Sequence, residues 1–271
     1  MTTTLLSTKQ RQTDPTTTAV DLAALVSGST AFALDLYQTL STAAENLFYS
    51  PYSISVALAM TYAGAREETE GQMADALHFA LPQERLHPAF NALDLALARR
   101  GQGARGKDGG GFRLNIVNAL WGQEGYYFLA NFLDTLAQNY GAGLRLLDFA
   151  GAPDAARREI NHWVSDETEG RIEDLIPPGL IDGLTRLVLT NAIYFNAAWA
   201  RPFPEHRTED GPFYLLDGSQ VPVSMMRQTE SFAYAAGPGW QAVELPYDGR
   251  ELAMLLLLPD AGQFATFEAA L

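Results

Sequence analysis

The stretch "TRLVLTNAIYFNAAW", residues 185–199, limits the possible folds more than any other part of the chain. A strand with one wet face alternates apolar and polar side chains, whereas this run is apolar with little alternation. It therefore reads as a long strand covered on both faces. Such a strand needs neighbours in a sheet and a layer of structure above and below it. The composition can supply that cover: 47% of the residues are hydrophobic and 18% charged, a balance that builds a sizeable core rather than a disordered chain.

Helical periodicity dominates the first half of the sequence. Val20, Leu22, Leu25, Val26, Phe32, Leu36, Tyr37 and Leu40 recur three or four apart, predicting an amphipathic helix over 20–40. Ser50-Pro51 opens a second helix that runs towards Gly64, with Ser as N-cap and Pro at the first helical position. A short third helix follows near Gly71, and a fourth covers about 83–99. Residues 112–121 read as a strand, 129–139 as a helix closed by Tyr140-Gly141, and 144–149 as a short strand. Asp154 is expected to N-cap a helix carrying Ile160, Trp163 and Val164 on one face and ending near Gly170. The last third is β-rich, with a hairpin over 241–260 turning at Asp248-Gly249. Helices first and strands last predict an α+β fold rather than a βαβ series. Residues 1–18 are read as a disordered leader and 19–271 as a single domain.

Several function classes are excluded by what the chain carries. With 18 Lys and Arg against 32 Asp and Glu, its net charge is −14, which repels nucleic acid, anionic membrane and polyanions such as heparin. Its one dense basic group is Arg99, Arg100, Arg105 and Lys107. The longest uninterrupted apolar run, Leu252–Leu258, is too short to span a bilayer, so a soluble protein is expected. No cysteine is present, and the four histidines form no H-E-x-x-H pattern, so neither a metal centre nor another cofactor is expected. Gly101 to Gly106 formally match G-x-G-x-x-G, but no strand precedes them and Asp108 stands where a phosphate loop needs a hydroxyl. The segment 101–111 is read as a flexible loop. No G-x-S-x-G elbow occurs, and Asp166, Glu167, Glu169, Glu173 and Asp174 read as a solvated acidic turn. No catalytic constellation assembles, and the chain is read as a non-enzyme.

Five blocks, in order, carry a resemblance. "NLFYSPYSISVALAMTYAGAREETEGQMADALHF" (46–79) resembles the N-x-x-x-S-P-x-S-I segment of the serpins, the serine protease inhibitors. "INHWVSDETEGRIEDLIP" (160–177) resembles their helix F and its exit, and "LVLTNAIYFNAAWARPF" (187–203) the N-A-x-x-F and W-x-x-x-F strand. "VPVSMM" (221–226) and "VELPYDGRELAMLLLLPD" (243–260) complete the set. The resemblance spans about residues 20–271. It implies helices packed on mixed and antiparallel sheets, and inhibition by conformational change. In the family, a protease cleaves an exposed reactive loop, which then inserts as a new central strand of sheet A.

By that resemblance Asn46, Ser50, Ser53 and Asn191 fall on the polar network called the shutter, where the strands of sheet A part. Trp199 falls at the breach, where the loop first enters. Ser55 has no counterpart in the network and is read as a helix-surface residue. The family's strands 5 and 6 of sheet A, its reactive loop and the last strands of sheet B have no counterpart within 1–271. The chain is therefore expected to be a C-terminally incomplete copy or fragment, inactive by itself, whose full-length form meets a serine protease or, as a second class, a cysteine protease. A non-inhibitory binding protein of the same fold is the alternative, and an enzyme on an unrelated α+β fold the third reading. The family is often extracellular, yet residues 1–18 contain no signal-peptide h-region, which leaves a cytoplasmic setting open.

Overall fold

In a computed structural model the chain is described except for residues 1, 2, 6, 42–45 and 106–110. Residues 106–110 of the Gly-rich segment 101–111 thus lie outside the described residues. Backbone contacts group the chain into two compact units, one of residues 1–98 and 114–195, the other of 99–113 and 196–271.

The first unit holds the helices α1 (Ala19–Leu40), α2 (Pro51–Tyr62), α3 (Glu67–Ala76), α4 (Gln83–Ala98), α5 (Ala130–Tyr140) and α6 (Pro153–Glu167). Its sheet is built from β1 (Thr3–Leu5), β2 (Arg113–Gln123), β3 (Leu144–Leu147) and β4 (Leu187–Asn196), in the order β1-β3-β2-β4. β1 runs antiparallel to β3, and β2 parallel to it. The C-terminal half of β2 is buried on both faces. Ala119 and Trp121 pack with Phe149, Ile160 and Val164 under α6, while Leu120 meets Met60, Leu133 and Leu136 from α2 and α5. β4 shares both layers, with Val188 and Ala192 on the α6 side and Leu189 on the other. The two-sided cover expected of 185–199 is therefore realised at the middle of the strand. Its ends differ: Leu187 and Phe195 are exposed, and β4 is the terminal strand of the sheet.

A third cluster sits among the helices, where Leu25, Phe32, Val56, Tyr62, Phe79, Leu86 and Phe90 pack together. α1 has the length and apolarity of a membrane span, but it packs on α2 and α4. Its start is a capping box in which Thr18 and Asp21 bond reciprocally, and the Asp21 carboxylate also takes Arg85. Asp21 is buried, and the Arg85 guanidinium beside it holds its carboxyl below the usual range.

Two local expectations change. Asp154 does not cap α6: Ala152 occupies the N-cap, Pro153 starts the helix, and the Asp154 carboxylate is bonded to Arg157 and Arg158 at 2.9 and 2.5 Å. Pro153 sets φ for the first turn, and Asp154 places its negative charge there without acting as the cap. The leader differs as well. Thr3–Leu5 form β1, and residues 7–12 lie along α4 and α5 through side-chain and backbone hydrogen bonds. Its composition lacks an apolar stripe because its attachments are polar and backbone-borne, which hydrophobic periodicity cannot register.

The second unit is built of antiparallel pairs. β5 (Glu209–Tyr214) pairs with β6 (Gln220–Met225), and β7 (Ala233–Gly237), β8 (Trp240–Pro246) and β9 (Ala253–Pro259) form a three-stranded sheet in that order. A short helix, α7 (Phe264–Glu268), follows. The expected hairpin is β8–β9, and its turn spans 247–252 with Gly249 and Arg250 at φ of 88° and 56°.

The described half of the Gly-rich loop is anchored to that turn rather than loose. Gly101 N donates to Glu251 Oε2 at 2.7 Å, Arg100 to Glu251 Oε1 at 3.0 Å, and Arg105 N to Asp248 Oδ2 at 3.0 Å. Backbone amides that a phosphate loop would aim at an anion are thus engaged by the protein's own carboxylates. The Gly101 amide, with Arg100 beside it, draws the Glu251 carboxyl below its ordinary pKa.

Candidate functional site

Ser50 precedes α2 with extended backbone, φ −113° and ψ 100°, and its Oγ accepts from Ser53 N at 3.3 Å. The Ser50 hydroxyl also donates to Ser53 Oγ at 3.0 Å. Ser53 is buried, so this contact satisfies a hydroxyl that would otherwise cost about 1–3 kcal/mol. Cap and partner are one residue, and the serine pair explains itself locally.

Ser55 overturns its expectation. It is fully buried instead of on the helix surface, and its Oγ has no hydrogen-bond partner. α2 is apolar nearly all round and packs into both the helical cluster and the cluster under the sheet, so it has little outer surface on which to place a serine.

Asn191, on β4, reaches sideways across the sheet: its Nδ2 donates to Asn118 Oδ1 on β2 at 2.7 Å. One residue earlier, Thr190 Oγ1 accepts from Trp121 Nε1 at 2.9 Å in a fully buried contact, again between β4 and β2. These two cross-strand pairs stitch β4 to β2 with side chains in addition to the ladder. Sequence reasoning found Asn191 but missed Asn118, Thr190 and Trp121. A polar residue recurring inside two apolar strands, in Asn118 and Asn191, was the available signal. Among the described hydrogen bonds none joins the Asn118–Asn191 pair to Ser50–Ser53, and Asn46 is exposed. Ser50–Ser53 and Asn118–Asn191 are thus separate pairs, and Asn46 lies outside both.

Trp199 lies in the second unit, beyond the end of β4. It makes an isolated antiparallel bridge with Tyr247, stacks on that ring at 4.8 Å and 10°, and meets Phe203 edge-on at 6.0 Å. Backbone bonds from Ala200 N to Pro246 O and from Asp248 N to Ala198 O clamp the segment to the hairpin turn. Trp199 thus belongs to a small aromatic stack on the turn that also carries Asp248 and Glu251.

Helix α6 leads to its exit through Asn161. This buried side chain accepts from Ile176 N at 2.9 Å and donates to Ile176 O at 3.0 Å, while Arg157 donates to the same carbonyl at 3.2 Å. His162, by contrast, is exposed beside Asp166. Among the described residues no group of His, Asp and Glu has the makings of a metal site. The arrangement offers paired polar side chains between the strands β2 and β4.

The family model described as Serpin (serine protease inhibitor) matches residues 27–271. The leukocyte elastase inhibitor of Sus scrofa is 41% identical over 241 residues, covering 88% of this chain and 61% of that protein. An uncharacterized serpin-like protein of Thermococcus kodakarensis is 39% identical over 247 residues, covering 91% and 56%. Among solved structures, ovalbumin from the emu Dromaius novaehollandiae superposes with a TM-score of 0.83 at 30% identity, over 92% of this chain and 67% of that one. The chain spans about three fifths of the length of such curated relatives.

Proposed function

The chain belongs to the serpin family, and from that premise we propose that it is the scaffold of a serine protease inhibitor that works by loop insertion. The observation that carries this reading is a pair of polar contacts inside a largely apolar sheet, Asn191–Asn118 and Thr190–Trp121, which tie β4 to β2. Strand addition works by main-chain hydrogen bonding to strands held in register. Side-chain amides and hydroxyls between β4 and β2 hold that register.

In this reading Ser50, Ser53 and Asn191 serve the shutter, with Asn118 as the partner of Asn191, Asn46 lies at its exposed margin, and Trp199 serves the breach through its stack on Tyr247. The 41% identity to an elastase inhibitor supports a serine protease as the target. No counterpart of the reactive loop lies within 1–271, so these residues alone are proposed to be inactive.

Incubating full-length protein with an elastase-type serine protease tests the proposal. The expected product is a covalent complex that survives SDS, formed by the full-length protein and not by residues 1–271. Simple cleavage of the full-length protein with no such complex would favour the alternative, a non-inhibitory binding protein of the same fold.

A further inference from the structure

We propose that residues 3–5 and 7–12 are a built-in ligand: a strap held in a seat formed by α4, α5 and the β3 edge, with Arg11 as its key. The seat is most clearly marked by Asn91 of α4, which is completely buried. Both ends of its amide are used by the strap. Asn91 Oδ1 accepts from Arg11 Nε at 2.9 Å, and Nδ2 donates to Gln12 O at 2.8 Å, with a longer bond to Gln138 O at 3.3 Å. Without the strap the buried carbonyl oxygen loses its donor, and buried polar groups persist in folded proteins when they are paired. Asn91 therefore has both ends of its amide paired with the strap at the base of the seat.

The rest of the seat fits the same occupant. Asp94, one turn further along α4, takes Arg11 Nη2 at 2.5 Å. Gly141 ends α5 with φ 61°, and a Cβ there would lie 2.9 Å from Arg11 Cδ, so the position admits the arginine stem by lacking a side chain. Gln12 N donates to Gln138 O at 2.9 Å, and the Ser7 hydroxyl donates to Asp134, which ties the strap to α5 as well. Beyond these clamps Thr3–Leu5 pair with Leu144–Leu146 as β1, covering the edge that β3 would otherwise present. A cationic guanidinium in an acidic chain of net charge −14 also favours the strap electrostatically. The seat is thus an extended-peptide site: a strand edge at one end, and an Asn–Asp clamp for an arginine at the other.

The test removes and restores the occupant. Deleting residues 1–12 from the full chain should lower Tm and speed hydrogen exchange of the Leu144–Leu147 amides by about tenfold or more. A synthetic peptide of residues 1–14, added in excess, should recover both, and the same peptide with Arg11→Ala should not. If the deleted form does not fold, Arg11→Ala and Asn91→Ala in the intact chain should each show the faster β3 exchange. Unchanged Tm and exchange after deletion, unchanged exchange in both point variants, or equal rescue by the two peptides would overturn the proposal. Concentration-dependent dimers that retain β3 protection would mean that leaders are exchanged between copies, and would overturn the intramolecular strap.

Discussion

Asn161 holds Ile176 by both ends of its side-chain amide, accepting from its N–H and donating to its carbonyl as a paired strand would. The bonds fasten the loop that leaves α6 back onto the helix, and Arg157 reinforces the same carbonyl. All of this is buried at Asn161 and Ile176, so the backbone groups have no water to turn to. Replacing Asn161 by Ala is expected to cost about 1–3 kcal/mol in urea unfolding. Asn161→Asp should be harmful too, because it replaces the donor to Ile176 O with a buried acceptor. An Asn161→Ala variant as stable as the parent would show that the pin is dispensable.

Acid should weaken the helical core through His87. The imidazole is buried, its Nδ1 lies 2.7 Å from Tyr140 Oη, and its ring sits near Tyr62. Burial, helped by the positive charge of Arg66, lowers its pKa from 6.5 to about 4. The unfolded chain therefore takes up a proton near pH 6.5, while the folded one refuses it until about pH 4. Stability is full above pH 6.5 and is lost as the pH falls towards 4, by roughly 3 kcal/mol over that window. His87→Leu should flatten this slope while lowering the plateau, since Tyr140 Oη loses its partner. Chemical denaturation at several pH values reads slope and plateau separately.

The two buried serines of α2 should respond in opposite directions. Ser55 Oγ is unpartnered, so Ser55→Ala removes a desolvated hydroxyl and should stabilise by about 1 kcal/mol. Ser53→Ala breaks the contact with Ser50 and should destabilise by about 0.5–1.5 kcal/mol. Ser53→Phe overpacks the site at a cost of about 1–3 kcal/mol and, in the full-length protein, should favour polymers. Thermal melts of the three variants, with light scattering for the last, check the contrast.

Cleavage by trypsin offers a test of the anchored loop. Removing the carboxylates with Asp248→Ala and Glu251→Ala frees the Arg105 and Gly101 amides. Cutting after Arg100 and Arg105 should then accelerate several-fold, as exposed, untethered loops are preferred sites. Gly101→Ala should act more strongly, because φ is 74° and a Cβ would lie 2.3 Å from Phe112 Cβ. Equal cutting of parent and variants would show that the carboxylates do not restrain the loop.

Much of the architecture could be read from the sequence because it rests on apolar pattern. The helices near 20–40, 51–64 and 129–139, the strand at 185–199 and the Asp248-Gly249 hairpin all leave periodic or turn signals, and each has its counterpart in the structure. What escaped is polar and long-range. The link between Asn118 and Asn191 joins residues far apart in sequence, and the cover over Ser55 depends on how two clusters close around one helix. Strand length was misjudged at its end, since the run to Trp199 continues as apolar sequence although Trp199 has left β4 for a stack on Tyr247. The leader carries no pattern at all, because its hold on the fold is one arginine, a buried asparagine and a few backbone bonds.

The pairing of Thr3 with Leu146 also sets a clock. The first strand of the sheet to leave the ribosome must wait for a partner made roughly 140 residues later. At about 5–20 residues per second that delay is on the order of ten seconds. In that interval α1 to α4 can form from neighbouring sequence, while the strap has no β3 edge to pair with. Of the strands in this sheet, Thr3–Leu5 thus wait longest for a partner, and an event in that interval, such as a cut or a competing strand, would be written into the finished molecule.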